Sequence, residues 1–122
     1  MQKTIIVTGA GSGIGKATAT AFLENGYKVG FLGRRSTTLE TAANGHENAL
    51  ILPCDVSNPN DVKTAFATAT ANWGRLDVLF NNAGIGSPPA SVDDTDVDVW
   101  LKVVAINLTG SFLCARAAFK QM

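Results

Sequence analysis

Residues 4–15 of the chain read TIIVTGAGSGIG. The first five form an uninterrupted apolar and β-branched run, which predicts a strand buried on both faces. Glycines follow the strand at once, and Gly13 begins a helical pattern that the pair Asn25-Gly26 ends. A strand that turns through glycines into a helix presents free backbone N–H groups and the positive end of the helix dipole. The stretch therefore predicts an anion site within an α/β fold.

Three glycines of this turn have separate predicted tasks. Gly9 lets the chain turn sharply away from the strand. Gly13 lets a pyrophosphate approach the backbone without meeting a Cβ atom, and Gly15 lets the helix pack closely on the sheet. The helical pattern that follows also predicts which face of the helix is buried. That predicted face consists of Ile14, Ala17, Ala21 and Phe22.

Two common glycine motifs fit the turn only in part. The spacing G-x-G-x-x-G is met in no register, because Ile14 and Lys16 stand where the third glycine should be. The nucleoside triphosphatase motif G-x-x-x-x-G-K-[ST] is a near miss. Ala10 replaces its first glycine, and Ala17 replaces the hydroxyl residue that binds magnesium. A triphosphatase is therefore a weaker alternative, and a glycine turn without any ligand is the other one.

The rest of the chain alternates short apolar runs with longer helical periods, without internal repeats. This order is typical of a parallel sheet covered on both faces. We therefore predict an α/β, Rossmann-like fold with the strand order 3-2-1-4. The predicted strands are 4–8, 28–32, 49–53 and 78–81, and the predicted helices are 13–25, 37–43, 59–73 and a last one that Asp96 or Asp98 caps and that runs towards Met122.

Two arginines follow the predicted second strand, in the segment FLGRRS at residues 31–36. A dinucleotide domain contacts the adenosine ribose about twenty residues after its glycines. A carboxylate there would bind both ribose hydroxyls and repel a 2′-phosphate, but the segment has none. Arg34 and Arg35 can instead bind a 2′-phosphate in bidentate fashion. The segment favours NADP(H) over NAD(H), and a solvated basic loop is the alternative.

Further polar or small residues follow the third and fourth strands, where ligands of open α/β sheets bind. Asp55 can accept a hydrogen bond from an adenine amino group, with Val56 beside the ring, or it can form an Asx-turn before the next helix. In the segment NNAG, at residues 81–84, the side chains of Asn81 and Asn82 can tie neighbouring loops together. Ala83 and Gly84 let a ligand approach the backbone closely. A plain polar turn is the alternative for this segment.

Asn107 interrupts an apolar run in the predicted last helix. A polar side chain in an apolar stripe needs a hydrogen-bond partner. A neighbouring backbone group or an ordered water can fill that role.

Taken together, these segments resemble the short-chain dehydrogenase/reductase family. The strings TGAGSGIG, CDV, WGRLDVLFNNAG and INLTGSF carry the resemblance, which spans the whole chain in the family's order. It implies that Arg34 holds a 2′-phosphate, that Asn82 approaches the nicotinamide ribose, and that Asn81 braces the sheet. It also implies that Asn107 positions a water in a proton relay. The residues that would line the pyrophosphate are Gly9, Ser12, Gly13 and Ile14, and those that would meet adenine are Asp55 and Val56. Ser12 departs from many NADP-preferring members, which carry a basic residue there.

The family's proton donor is absent from these 122 residues. By resemblance it is the tyrosine of Tyr-x-x-x-Lys, whose phenol needs a nearby cation for proton transfer near neutral pH. The one tyrosine, Tyr27, stands just before the second strand, and no Tyr-x-x-x-Lys occurs. Because family members are about twice this length, we expect one dinucleotide-binding domain, 1–122, that is incomplete at its C-terminal end before a fifth strand. Unpaired apolar surface should then make the chain marginally stable or homo-oligomeric.

The composition is ordinary for a globular domain, with 46% hydrophobic and 16% charged residues and a formal net charge of zero. It gives no long-range attraction to nucleic acid or membranes. No window reaches the length expected of a membrane span, which predicts a cytoplasmic protein. Cys54 and Cys114 should be buried, reduced thiols. The four aspartates between Asp93 and Asp98 are expected at a helix N-terminus rather than around a metal.

The leading hypothesis is the NADP(H)-binding part of an oxidoreductase that transfers a hydride between nicotinamide and a carbonyl or hydroxyl carbon. On this hypothesis the chain alone is inactive. The alternative from another class is a short, non-catalytic nucleotide-binding or interaction protein.

Overall fold

The computed structural model of the chain describes residues 2–122. Four parallel strands form one sheet in the order β3-β2-β1-β4, with helices on both faces, which confirms the predicted fold. The elements are β1 (Thr4–Thr8), α1 (Gly13–Glu24), β2 (Lys28–Gly33), α2 (Ser36–Ala43), β3 (Ala49–Pro53), α3 (Pro59–Trp73), β4 (Val78–Phe80), a short 3-10 turn (Val92–Asp94), α4 (Val97–Val103), a π-helical segment (Val104–Thr109) and α5 (Gly110–Phe119).

The side chains of β1 divide the core into two layers. Ile5 and Val7 point to one face of the sheet and Ile6 to the other, and all three are fully buried. Because a strand alternates its side chains, a strand buried on both faces must be apolar throughout. One layer is shared with α1 and α2, and the other with α3 and α5.

Side chains cap the N-termini of α3 and α4. The Asn58 side-chain oxygen accepts hydrogen bonds from the backbone N–H groups of Asn60 and Asp61, at 2.9 and 3.2 Å. Such a cap satisfies donors that the first helical turn leaves free. Of the two predicted caps of the last helix, Asp96 fills the position, because it accepts from the N–H of Asp98 at 2.9 Å. Asp98 lies in the first turn.

The buried face of α1 differs from the predicted one. Gly15, Ala19 and Leu23 face the core, whereas Ile14 is 72% exposed. Ala17 and Ala21 are exposed as well. The reason is local: Gly15 packs directly on the turn that precedes the helix, so the face it belongs to is turned towards the sheet. Because a glycine has no side chain, Gly15 adds nothing to the apolar pattern of the helix. The pattern therefore could not reveal that the face with Gly15 is the buried one.

The segments α4, π and α5 form one continuous helix, Val97–Phe119, called the long helix below. It has 23 residues and a mean hydropathy of 1.5, so by length and composition it could span a membrane. The expectation that no window reaches that length was therefore wrong. Core helices of water-soluble proteins pass the same test. Its large exposed apolar side chains are Val97, Trp100, Leu101, Leu108, Phe112 and Phe119.

Strand β4 pairs with β1 alone among the strands of residues 2–122. Its three residues are half-buried. At its start Thr4 donates its backbone N–H to Asp77 at 2.9 Å, and Asp77 donates its own to the Thr4 hydroxyl at 3.1 Å. These bonds fix the register of the pair, while the other side of β4 pairs with no strand of residues 2–122.

Candidate functional site

A cavity of about 270 Å³ lies at the carboxyl ends of the strands. In open α/β sheets ligands bind at this edge, beside the point where the strand order reverses. Here that point is β1, which has β2 on one side and β4 on the other. The lining residues are Gly9, Gly11, Ser12, Gly33, Arg34, Arg35, Thr38, Leu39, Cys54, Asp55, Val56, Ala83, Gly84, Ile85 and Ile106.

The glycine turn forms one wall of the cavity. Gly9 has φ +66°, in the left-handed region that favours glycine. A Cβ atom on Gly15 would stand 2.1 Å from the carbonyl oxygen of Gly9, so this close packing admits no side chain. Gly13 also has a positive φ, +55°, but a Cβ atom there would meet nothing within 4 Å.

The first turn of α1 keeps its N–H groups available. Ser12, the residue before the helix, has extended backbone, and its side chain makes no capping bond. Free N–H groups at a helix start attract an anion, and the helix dipole adds to that attraction. This end of α1 can therefore hold phosphate groups.

The second wall follows β2 and carries positive charge. Arg34 and Arg35 line the cavity before α2 begins at Ser36, and both are exposed. The wall contains no carboxylate between Phe31 and Leu39. Thr38 lies close to the glycine turn, because a Cβ atom on Gly11 would stand 2.8 Å from its methyl carbon.

Asp55 is the carboxylate of the cavity. Its Oδ1 accepts hydrogen bonds from the Ser57 backbone N–H at 3.0 Å and from the Ser57 hydroxyl at 2.7 Å. The bond from the Ser57 hydroxyl is the main cause that lowers the pKa of Asp55, and Arg34 and Lys102 lower it further by their charge. Oδ1 thus makes the Asx-turn that the sequence left open as an alternative, while no side chain or N–H group of residues 2–122 bonds Oδ2. That second oxygen is free to accept from a ligand.

The loop after β4 is fastened to the end of β1. The buried Thr8 hydroxyl accepts hydrogen bonds from the backbone N–H groups of Asn82 and Ala83, both at 2.8 Å. The Asn82 side chain donates to the Thr8 carbonyl at 3.2 Å. Asn82 therefore ties two loops together, as the sequence allowed, and Ala83 and Gly84 line the cavity.

Asn107 lies in the π-helical segment of the long helix. Its side-chain oxygen accepts from the N–H of Ile85 at 2.8 Å, and its amide donates to the Ile85 carbonyl at 2.9 Å. The backbone group that the sequence left open as a partner is therefore that of Ile85. π-helical turns inside α-helices occur often at functional sites. Here the turn brings Asn107 against the loop that lines the cavity.

Asn81 bonds the long helix. Its side-chain amide donates to the carbonyl oxygen of Ser111 at 2.8 Å. The Ser111 hydroxyl in turn donates to the carbonyl oxygen of Asn107 at 2.8 Å. The sequence resemblance implied that Asn81 braces the sheet, and the contact found joins the end of β4 to the helix that packs beside it.

Both cysteines are buried and unpaired, as predicted. Burial is the main cause that raises the pKa of Cys54 to about 12, and the charges of the neighbouring Cys114, Asp61 and Asp55 contribute to that rise. Burial also raises the pKa of Cys114 to about 11. Because the thiolate is the reactive form, Cys54 contributes packing to the cavity wall rather than nucleophilic chemistry.

The cavity brings most of the predicted site residues together, at the ends of all four strands. Those that line it are Gly9, Ser12, Arg34, Arg35, Asp55, Val56, Ala83 and Gly84. Gly13, Ile14, Asn82 and Asn107 lie beside it without lining it. Tyr27 packs edge-on against Phe22, with ring centroids 4.7 Å apart, at the opposite end of β2.

Sequence reasoning missed part of the wall. The lining residues that were not predicted to belong to the site are Gly11, Gly33, Thr38, Leu39, Cys54, Ile85 and Ile106. The helical spacing of Ile106, Gly110 and Leu113 could have indicated that Ile106 lies on the buried face of the helix. No sequence signal shows that Thr38 reaches the glycine turn.

Comparisons of the sequence and of the fold with known proteins all find dehydrogenases and reductases. The profile of the short chain dehydrogenase family matches residues 3–122. Secoisolariciresinol dehydrogenase of Forsythia intermedia is 36% identical to this chain, in an alignment that covers 98% of this chain and 44% of the relative. 2-(R)-hydroxypropyl-CoM dehydrogenase of Xanthobacter autotrophicus is 42% identical, in an alignment that covers 100% of this chain and 52% of the relative. The crystal structure of 3-ketoacyl-(acyl-carrier-protein) reductase from Brucella melitensis, complexed with NADH, superposes with a TM-score of 0.94 at 32% identity, over 98% of this chain and 49% of that one. The chain thus spans about half the length of these relatives.

Proposed function

The chain belongs to the short-chain dehydrogenase family, and on that premise we propose that it is the NADP(H)-binding part of an oxidoreductase. The protein that contains it would transfer a hydride between nicotinamide and a carbonyl or hydroxyl carbon. The observation that supports this most is the cavity itself, where an uncapped helix start, two arginines and one carboxylate with a free oxygen face the same space. Residues 1–122 would form one dinucleotide-binding domain.

We assign each wall of the cavity to one portion of the cofactor. The start of α1 fits the pyrophosphate, through free N–H groups at Gly13 and Ile14 and the turn at Gly9 and Ser12. Asp55 fits the adenine amino group through its free Oδ2, with Val56 beside the ring.

The loop after β4 fits the nicotinamide end of the cofactor. Asn82 keeps this loop against Thr8, so that Ala83 and Gly84 stay in the wall. The nicotinamide supplies the hydride chemistry when it is bound. Asn107, held by both bonds to Ile85, would position a water for proton transfer.

The preference for NADP(H) rests on the second wall. Arg34 and Arg35 can neutralise a 2′-phosphate, and no carboxylate after β2 repels it. The Brucella melitensis relative carries NADH in its structure, which supports dinucleotide binding without deciding the phosphate. Ser12 offers no charge of its own.

We expect the isolated chain to bind NADPH without added magnesium, because N–H groups and arginines alone hold the phosphates. Titration of the chain with NADPH, followed by calorimetry or by nucleotide fluorescence, measures this. ATP with magnesium is the matched competitor, since it is the ligand of the triphosphatase alternative. Tight ATP binding that depends on magnesium, together with no NADPH binding, would reject the proposal.

The proposal also predicts that these 122 residues alone catalyse no hydride transfer. They hold no Tyr-x-x-x-Lys, and Tyr27 lies at the far end of β2 from the cavity. The intact mass of the protein made from its natural gene separates the two hypotheses. A mass well above 12.7 kDa favours a longer oxidoreductase, and a mass of 12.7 kDa favours the short, non-catalytic protein.

We further propose that the protein is cytoplasmic. We also propose that the chain associates with itself through the exposed apolar side of the long helix. Leu108 is 68% and Phe112 is 59% exposed, and contiguous apolar surface of this kind favours association. Replacing both with glutamine should shift the chain from oligomer to monomer, whereas Thr109→Gln on the same exposed turn should not. Sedimentation velocity at low and high protein concentration checks this. A sharp, concentration-independent melt of a monomeric unmodified chain would contradict the proposal.

A further inference from the structure

The long helix passes directly beside the adenine side of the cavity. A Cβ atom on Gly110 would stand 2.6 Å from a methyl carbon of Val56, so the helix and the loop after β3 are in contact. One turn towards the start of the helix, Ile106 lines the cavity. Residues four apart lie on the same side of a helix, so Lys102 stands on the Ile106 side, one further turn outwards. Lys102 does not line the cavity itself, and its exposed side chain lies on the helical turn next to the lining residue Ile106.

The charge of Lys102 contributes to the electrostatics of Asp55, which lines the cavity. The hydrogen bond from the Ser57 hydroxyl lowers the pKa of Asp55 most, and the charges of Arg34 and Lys102 lower it further. The obvious competing partner is Asp98, one helical turn earlier and in the favourable order for an ion pair. Residues 2–122 show no ion pair between Asp98 and Lys102. The ammonium group is thus available to the cavity.

We infer that Lys102 is a third cation of the cofactor site, acting on the adenosine 2′-phosphate from the wall that the long helix forms. This inference rests on the proposed function, because it needs NADP(H) in the cavity. A phosphate monoester carries close to two negative charges at neutral pH. Arg34 and Arg35 approach from the wall after β2, but Asp55 opposes them. Lys102 offsets the carboxylate, so that the adenosine end of the cavity stays positive.

The test compares variants that differ in charge at one position. Lys102→Met removes the charge and keeps the length, and Lys102→Arg keeps the charge. Lys120→Met is the matched control, since Lys120 is an exposed lysine at the far end of the same helix region. Each variant is titrated with NADPH and with NADH at low and at high salt. Circular dichroism checks that all variants fold alike.

Lys102→Met is expected to weaken NADPH binding about three- to tenfold and NADH binding less than about twofold, the size expected of one exposed charge several ångströms from a phosphate. The difference should shrink at high salt. Lys102→Arg and Lys120→Met should bind NADPH like the unmodified chain. An unmodified chain that binds neither nucleotide removes the proposed function and this inference together. Two outcomes overturn this inference alone. In the first, Arg34→Ala weakens NADPH binding and Lys102→Met does not. In the second, Lys102→Met weakens the binding of NADPH and of NADH equally.

Discussion

Replacing Arg34 with alanine is expected to weaken NADPH binding by about one to two orders of magnitude, while NADH binding changes by less than about threefold. A charged hydrogen bond contributes roughly 1.5–3 kcal/mol, and the 2′-phosphate is the group that NADH lacks. Arg34 is exposed and lines the cavity, so its loss should leave the free energy of unfolding nearly unchanged. Calorimetric titration of both nucleotides measures the two affinities directly.

Two further variants make the Arg34 result specific. Arg34→Lys keeps a positive charge but loses the bidentate geometry, so it should recover only part of the NADPH affinity. Arg116→Ala removes an exposed arginine of α5 that does not line the cavity, and it should change neither affinity. Equal weakening of NADPH and NADH by Arg34→Ala would show that the arginine holds a group common to both nucleotides, and the preference for NADP(H) would be abandoned.

The sequence predicted the sheet well because its strands are buried on both faces. Ile5, Ile6 and Val7 carry a continuous apolar signal, which leaves no doubt between a strand and a loop. Gly9 and Gly15 were assigned correctly for a similar reason, since only glycine tolerates their backbone angles or contacts. These features depend on residues that are neighbours in the sequence, so the sequence alone can predict them.

Features that depend on distant contacts were predicted less well. Ile14 is exposed because Gly15, not Ile14, turns α1 towards the sheet, and a glycine has no apolar signal to reveal that face. The π-helical segment around Asn107 depends on two bonds to Ile85, which lies 22 residues away. Asn81 reaches Ser111 across 30 residues. Such partners are set by packing of the whole domain, and no pattern in the neighbouring sequence encodes them.

Two glycines of the turn should separate folding from binding. Gly15→Ala is expected to destabilise the domain by about 3 kcal/mol or more, because its Cβ atom would overlap the Gly9 carbonyl and also stand 2.7 Å from the Asn82 side-chain nitrogen. The Asn82 side chain is held by its bond to Thr8, and the peptide that follows Gly9 is held by the bond from the Ala10 N–H to Leu32, so we expect the helix itself to move. Thermal unfolding should show a fall of roughly 10 °C, or no cooperative transition at all.

Gly13→Ala provides the contrast. Its Cβ atom meets nothing within 4 Å, and only the positive φ of 55° opposes it, at a cost of about 1–2 kcal/mol. The new methyl group would nevertheless point into the space before α1, where we place the pyrophosphate. NADPH binding should therefore fall by about tenfold or more while the chain still unfolds cooperatively. Gly86→Ala is the matched control, because that glycine has open space and no positive φ, and it should change neither property.

The order of these effects is what tests the site. If Gly15→Ala lowers stability while Gly13→Ala lowers affinity, one glycine serves the packing of α1 on the turn and the other serves the approach of the ligand. If Gly13→Ala binds NADPH as the unmodified chain does, the pyrophosphate does not lie at the start of α1. The free N–H groups there would then need another anion to explain them. Gly13→Ala leaves the second wall, with Arg34, unchanged. Unchanged NADPH binding by this variant would therefore reject the pyrophosphate site at the glycine turn without rejecting the contact between Arg34 and the 2′-phosphate.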